Sequence, residues 1–176
     1  MKKALLIASV LFIAVISTAC INNIAVQELN NKANEFMQKG DYESAVNRLQ
    51  ASIDLDSTMY ETYYNLGIAA TKAKKYDIAI EALQDGTKIK PDYADFYYSL
   101  GIAQLEYSNS LIEEENKDTE NLDEIKEKST NLRLSAIENF NKYLELNPQA
   151  EDKKDVEEIL KDCKEEKTEK TPVLEG

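Results

Sequence analysis

The sequence predicts an all-α protein built as a solenoid of stacked helical hairpins, and three observations carry that expectation. Residue types recur every 34 positions: Tyr42 and Ala45 are matched by Tyr76 and Ala79, Leu49 by Leu83, and Leu55 by Ile89. Upstream of these, Leu29, Tyr63 and Tyr97 keep the same spacing, as do Ala33, Gly67 and Gly101. Within each period the apolar residues fall three and four apart, as one face of a helix does, and the breaks fall at Gly or Pro. A unit this short cannot bury its own apolar face, so it must stack on its neighbours. The expected product of such a stack is a binding surface.

The first unit covers residues 26–59. Leu29, Ala33, Phe36 and Met37 make the apolar face of its first helix, and Ala45, Val46, Leu49, Ile53 and Leu55 that of its second. Between them Gly40 supplies the backbone angles of a helix end and Asp41 the side chain that caps the next helix. The second unit covers 60–93, with Tyr63, Leu66, Gly67 and Ala70 facing inward on one helix and Tyr76, Ile78, Ala79, Ile80 and Leu83 on the other. Pro91 ends it, because proline cannot extend the hydrogen-bond ladder. Small residues at Ala33, Gly67, Gly101, Ala45 and Ala79 let paired helices approach closely.

The third unit, 94–148, is interrupted. The equivalent of Ala79 would stand at residue 113 but is matched by Ala136, so 23 residues are inserted. The segment 106–132 holds nine acidic and three basic residues, yet Leu122, Ile125 and Leu132 keep a helical stripe. The expectation is that both helices of this unit lengthen, with a turn near 115–121. With about half the insertion on each arm at ~1.5 Å per residue, the hairpin would project roughly 15–18 Å beyond the stack. A disordered acidic loop is the competing expectation. After Pro148, residues 150–164 place Val156, Ile159, Leu160 and Cys163 on one face and charge elsewhere, the pattern of a terminal cap. Residues 165–176 are polar and read as a disordered tail.

At Tyr63, Leu66, Gly67, Tyr76, Ala79, Leu83 and Pro91 the chain resembles the tetratricopeptide repeat family. Gly40, Asp41, Tyr42, Ala45 and Leu49 extend the likeness to the first unit, where Lys32 and Ser57 depart from the usual Leu and Pro. Tyr97, Leu100, Gly101, Ala136, Phe140, Leu144 and Pro148 extend it to the third. The resemblance implies a concave groove lined by the first helices: Asn30, Asn34 and Met37; Glu61, Tyr64, Asn65, Ile68 and Lys72; Asp95, Tyr98, Ile102 and Leu105. It implies an extended peptide or a partner helix as ligand. The rival expectation is that the tyrosine–isoleucine stripe packs on the chain's own cap or tail. A subset of the family clamps the terminal carboxylate of chaperones; Asn34 and Asn65 are similar to it, but Asn30, Asp95 and Ser99 replace its basic residues.

The N-terminus carries a different message. Lys2 and Lys3 precede the apolar run Ala4–Ile16, interrupted only by Ser9, and Ser17, Thr18 and Ala19 follow. A basic start, a short apolar core and a small-residue exit read as a secretory signal peptide over 1–19. Cys20 directly after Ala19 resembles the cleavage site of bacterial lipoproteins, with Ser17 where that family usually has Leu. The resemblance implies cleavage before Cys20, lipid on its thiol and a short linker, residues 20–25, to the solenoid. Several acyl chains give stable anchoring where one gives marginal binding. Removing 1–19 takes away Lys2 and Lys3 and carries the net charge from −12 to −14. That sign opposes nucleic acid and anionic lipid as partners. With Cys20 lipidated, Cys163 has no partner for an internal disulfide.

No constellation for chemistry stands out. The chain has no His and no Trp, its glycines form no phosphate loop, and its carboxylates follow the helical surface pattern. We therefore expect no enzyme, no cofactor and no metal site. The expected function is that of a lipid-anchored adaptor or assembly factor in the bacterial cell envelope. Ile21 in place of the retention-signal Asp favours the outer membrane or cell surface. The partner is a protein or peptide and the chain itself a monomer. The alternative is a homo-oligomeric structural protein that associates through the long acidic hairpin.

Overall fold

A computed structural model describes residues 23–115 and 121–169. The signal peptide, Cys20, the tip of the hairpin at 116–120 and residues 170–176 lie outside the described residues. Among the described residues there are seven helices and no strand. These are α1 (23–38), α2 (Tyr42–Leu55), α3 (Tyr60–Lys72), α4 (Tyr76–Ile89), α5 (Ala94–Glu115), α6 (Leu122–Leu146) and α7 (Lys153–Glu169). Each helix packs on the next from α2 to α6, α7 packs on α6, and α3 also meets α5. The helices therefore pair as α1–α2, α3–α4 and α5–α6, with α7 closing the end.

The pairing rests on small residues set against large ones. A Cβ added to Gly67 would lie 2.3 Å from the Leu83 side chain, and one added to Gly101 would lie 2.6 Å from the Phe140 ring. Ala33 and Leu49, in the same register of the first pair, are both fully buried. One contiguous core joins Ala33, Ala45 and Leu49 to Tyr63, Leu66 and Leu83 and on to Phe96, Leu100 and Ala103. A second core joins Ala136, Phe140 and Tyr143 to Val156 and Leu160 of α7. Burial of these side chains is the main favourable term for the stack, at roughly 25 cal/mol per Å² of apolar surface.

Turns repeat with the helices. In both α3 and α5 a tyrosine reaches back to the loop before its helix. Tyr63 Oη donates to the Ser57 carbonyl at 3.3 Å, and Tyr97 Oη to the Pro91 carbonyl at 3.0 Å. Gly40 ends α1 with φ +75°, and Asp41 caps α2 by accepting from the Ser44 amide at 3.1 Å. One repeat later Lys74 takes the glycine's place with φ +59°, and Lys75 stands at the cap position without a side-chain cap.

The third pair is long as expected: α5 has 22 residues and α6 has 25, against 13 for α3 and 14 for α4. The interior of the extension is more polar than its leucine pattern suggests. Ser108 and Ser129 are buried and their hydroxyls meet at 2.8 Å. Arg133 donates to Ser108 Oγ at 3.0 Å and to Asn109 Oδ1 at 2.9 Å. Asn139 donates to Gln104 at 2.9 Å nearer the core. Leu122, Ile125 and Leu132 are half-buried beside this ladder, and Leu111 is buried. Two boundaries differ from the sequence reading. α1 is already helical at residue 23, inside the stretch expected as linker, and α7 continues to Glu169, inside the stretch expected as tail.

The turn geometry yields a paired expectation. A Cβ at Gly40 would meet nothing within 4 Å, so Gly40→Ala tests the backbone alone. It should destabilise by about 1 kcal/mol, because a left-handed conformation is strained for any residue with a Cβ. Lys74→Gly should stabilise by about 0.5–1 kcal/mol for the same reason. Thermal unfolding checks both, with shifts of roughly 2–4 °C per kcal/mol in opposite directions.

Candidate functional site

On α3 the residues turned toward α2 and α4 are buried, and one stripe is left accessible: Glu61, Tyr64, Asn65, Ile68 and Lys72. Its spacing is that of a single helix face. On α5 the same register gives Asp95, Tyr98, Ile102 and Leu105, all half-buried. Because α3 and α5 pack on each other, the two stripes run side by side. Nine of the twelve expected groove residues, Tyr64, Asn65, Ile68, Tyr98 and Ile102 among them, thus lie on this pair of stripes.

The three residues expected from α1 divide. Asn34 is exposed. Asn30 is turned toward α2: its amide nitrogen donates to the Val26 carbonyl at 3.0 Å and to Ser52 Oγ at 2.9 Å. Met37 packs on the core.

The tyrosines of the stripes are anchored by rings that sequence reasoning did not assign. The Tyr64 ring meets those of Tyr93 at 5.6 Å and Phe96 at 5.7 Å between centroids, both edge-on. The Tyr98 ring meets Phe140 at 5.9 Å and Tyr143 at 5.2 Å. Ile102, Leu105 and Tyr98 also pack against the core that includes Val156 and Leu160 of the cap. Such edge contacts add about 0.5–1.5 kcal/mol each beyond the area they bury. They hold Tyr64 and Tyr98 in place while leaving part of each accessible. The repeat register could have exposed these anchors: Phe96 stands 34 residues after Thr62, and Tyr143 stands in the place of Gly86 once the 23-residue insertion is counted.

Acidic groups surround the tyrosine hydroxyls. Tyr143 Oη donates to Asp152 Oδ1 at 2.6 Å. Burial, with Asp152 beside it, pushes the Tyr143 hydroxyl up to about 12. Burial, and then Asp95, push that of Tyr93 to about 12 as well. Tyr64 is raised by burial and by Asp95, and Tyr98 by burial and then by Asp152 and Asp155. The arrangement offers rings, hydroxyls and carboxylates on one face, the equipment of recognition. Away from this face, Cys163 of α7 is a buried free thiol, and burial raises it further from its reactive form.

Comparison with known proteins agrees with this geometry. The sequence pattern of the family described as TPR repeat matches residues 33–73 and again 69–106. These units are tetratricopeptide repeats. The matched copies end where the insertion begins, which is why the third unit is carried by structure and register instead. The first TPR domain of Spaghetti (RPAP3), solved with the HSP90 peptide SRMEEVD, has a TM-score of 0.62 at 16% identity, covering 81% of this chain and 93% of that one. The Arabidopsis OM64 TPR domain has a TM-score of 0.61 at 19% identity, covering 80% and 98%. The Yersinia enterocolitica secretion chaperone SycD, solved with a peptide of the translocator YopD, has a TM-score of 0.57 at 19% identity, covering 80% and 93%. At these identities the likeness is one of fold. No curated protein matches the chain by sequence.

The raised hydroxyls predict an alkaline limit. Tyr93 and Tyr143 stay neutral in the folded protein up to about 12, whereas in the unfolded chain they ionise from 10. Their contribution to stability is therefore complete below pH 10 and is lost as pH rises from there to about 12. Tyrosinate absorbance should show this pair ionising after the others and together with loss of helical circular dichroism. Tyr143→Phe, which has no ionisable hydroxyl, should make the loss of stability across that window shallower.

Proposed function

We propose that this TPR protein is a lipid-anchored adaptor or assembly factor of the bacterial cell envelope, at the outer membrane or cell surface, that takes a peptide or helix of a partner protein into its inner groove. The observation that carries the reading is the doubled stripe: Tyr64, Asn65 and Ile68 on α3 beside Tyr98 and Ile102 on α5, each ordered by packing yet accessible. Tyrosine supplies broad contact area and a hydroxyl at small entropic cost, which suits a surface that must hold a ligand without reshaping. Structural neighbours in RPAP3 and SycD were solved with peptides, and that supports the same use of the fold here.

Anchoring is the second half of the proposal. α1 is helical from residue 23, three residues after Cys20. A link that short reaches at most ~10 Å, so a lipidated Cys20 holds the repeats against their membrane. Without Lys2 and Lys3 the net charge of −12 becomes −14, and a body of that charge is repelled by anionic headgroups, so the lipid is the attachment and the groove stays free of the bilayer surface.

Each half has its own measurement. Cys20→Ser in cells should abolish incorporation of a labelled fatty acid and leave the protein unanchored or uncleaved; unchanged lipid labelling would end the lipoprotein reading. Ile68→Lys puts a charge in the middle of the groove at a half-buried position. It should leave the circular dichroism spectrum intact and reduce recovery of cross-linked partners by about tenfold or more, the loss expected when a central contact is removed. Recovery equal to that of the unaltered chain would place the partner surface elsewhere.

A further inference from the structure

The groove alone leaves the chemistry of its occupant open, and the charges around it decide the matter. The chain has 33 acidic and 21 basic residues. On the inner face Glu61 and Asp95 lead the stripes of α3 and α5, and Asp152 and Asp155 follow from the start of α7. These carboxylates converge on one aromatic cluster. Asp152 accepts from the Tyr143 hydroxyl at 2.6 Å, the Tyr143 ring meets that of Tyr98 at 5.2 Å, and the Tyr64 ring meets that of Tyr93 at 5.6 Å. After burial, Asp95 raises the hydroxyls of Tyr64 and Tyr93, and Asp152 and Asp155 raise that of Tyr98. Tyr64 and Tyr98 are in turn close enough to influence each other. The ion pairs of Lys75, Lys88, Lys90 and Lys153 use other carboxylates, Glu43, Asp85, Asp92 and Glu157. The aromatic part of the groove therefore carries a concentrated negative field beside tyrosine rings, and tyrosine rings themselves attract cations.

Resting on the groove reading above, we infer that the occupant is a lysine- or arginine-rich segment of a partner protein, whose cationic side chains lodge between the Tyr64 and Tyr98 rings and the carboxylates of Asp95, Asp152 and Asp155. An acidic segment would bring like charge against Asp95. A second copy of this chain is disfavoured for the same reason, since its net charge is also −12. An anionic lipid surface has the wrong sign as well. A basic segment gains from the field both in rate of encounter and in discrimination against wrong partners. Its aliphatic stems, or apolar residues between its charges, fit Ile68 and Ile102, which lie one helical turn beyond the two tyrosines.

The test uses the full chain in detergent micelles and three short fluorescein-labelled peptides. They share a leucine framework and carry arginine, glutamine or glutamate at the remaining positions. Fluorescence anisotropy should show the arginine peptide binding at least ~10-fold more tightly than the glutamate peptide, with the preference shrinking as salt is raised toward ~0.5 M. The isosteric double variant Asp95→Asn, Asp155→Asn should weaken the arginine peptide by about tenfold and leave the glutamine peptide unchanged. Equal binding of all three peptides, or a preference for glutamate, overturns the charge assignment while leaving the groove itself standing. Arginine-peptide binding that is indifferent to Ile68→Ala with Ile102→Ala overturns the groove as its seat. Absence of arginine-peptide binding up to about millimolar concentration also overturns the proposal, and the groove then depends on the Ile68→Lys capture result alone.

Discussion

The contact on which the rest of this structure depends is the meeting of a missing side chain on one helix with a large one on its partner. At Gly67 there is no room for even one carbon, because Leu83 already occupies it, and at Gly101 the Phe140 ring does the same. That closeness lets two short helices share one apolar interior. It also sets their rotation. Once Gly67 must face Leu83, the residues a helical turn away are committed: Tyr63, Leu66 and Ala70 go inside, and Glu61, Tyr64, Asn65, Ile68 and Lys72 remain as the accessible stripe. The accessible face is thus a geometric consequence of the packing face, and repeating one after 34 residues repeats the other.

One register is filled differently in each copy. Within the first repeat Asn30 bonds to Ser52, and the two hold the places that Tyr64 and Gly86 take in the second. There Gly86 is roofed by the Phe96 ring, with which a Cβ would collide at 2.2 Å, and Tyr64 closes on the same ring. At the third junction Tyr98, Tyr143 and the capping residue Val156 fill the corresponding space. The same register is therefore polar in the first repeat and aromatic toward the far end of the stack. The aromatic joints hold the groove tyrosines still. The accessible aromatic surface is accordingly concentrated on α3 and α5, where neighbouring rings support it, while α1 contributes chiefly the exposed Asn34.

Much of this was legible in the chain before any coordinates. The period, the Gly40–Asp41 turn, the stop at Pro91 and the three helix pairs follow from spacing and local chemistry. So does the long third hairpin, because Leu122, Ile125 and Leu132 keep a helical phase through an acidic segment. What spacing could not reveal was side-chain direction at positions used differently in each copy. Asn30 shares its register with Tyr64 and Tyr98, yet its amide turns to Ser52, because a short polar side chain finds a hydrogen bond where a tyrosine would extend past it. Likewise Tyr93, Phe96 and Tyr143 depart from the register, where Met59, Thr62 and Gly86 stand, and the period marks that departure without showing that these rings seat Tyr64 and Tyr98.

The insertion shows how a repeat can grow without losing its place in the stack. Extending two helices by whole turns would normally extend their apolar seam as well, and a long exposed seam invites association. Here the seam changes character as it leaves the core. Phe140 and Ala136 give way to the Asn139–Gln104 pair and then to Ser108, Ser129 and Arg133, whose hydroxyls and guanidinium bond across the two arms. A ladder of directional bonds fixes the relative register of the arms, as leucines alone would not, because apolar contacts tolerate sliding and misplaced hydrogen bonds do not. It also keeps the described parts of the arms joined while Glu113, Asp123, Glu124 and Glu127 stand exposed on them. Over the described residues the extension is therefore a hydrogen-bonded pair of helices with charge on its outside. It springs from the pair of helices that holds Tyr98 and the acidic side of the groove, so a basic partner drawn to one meets the field of both.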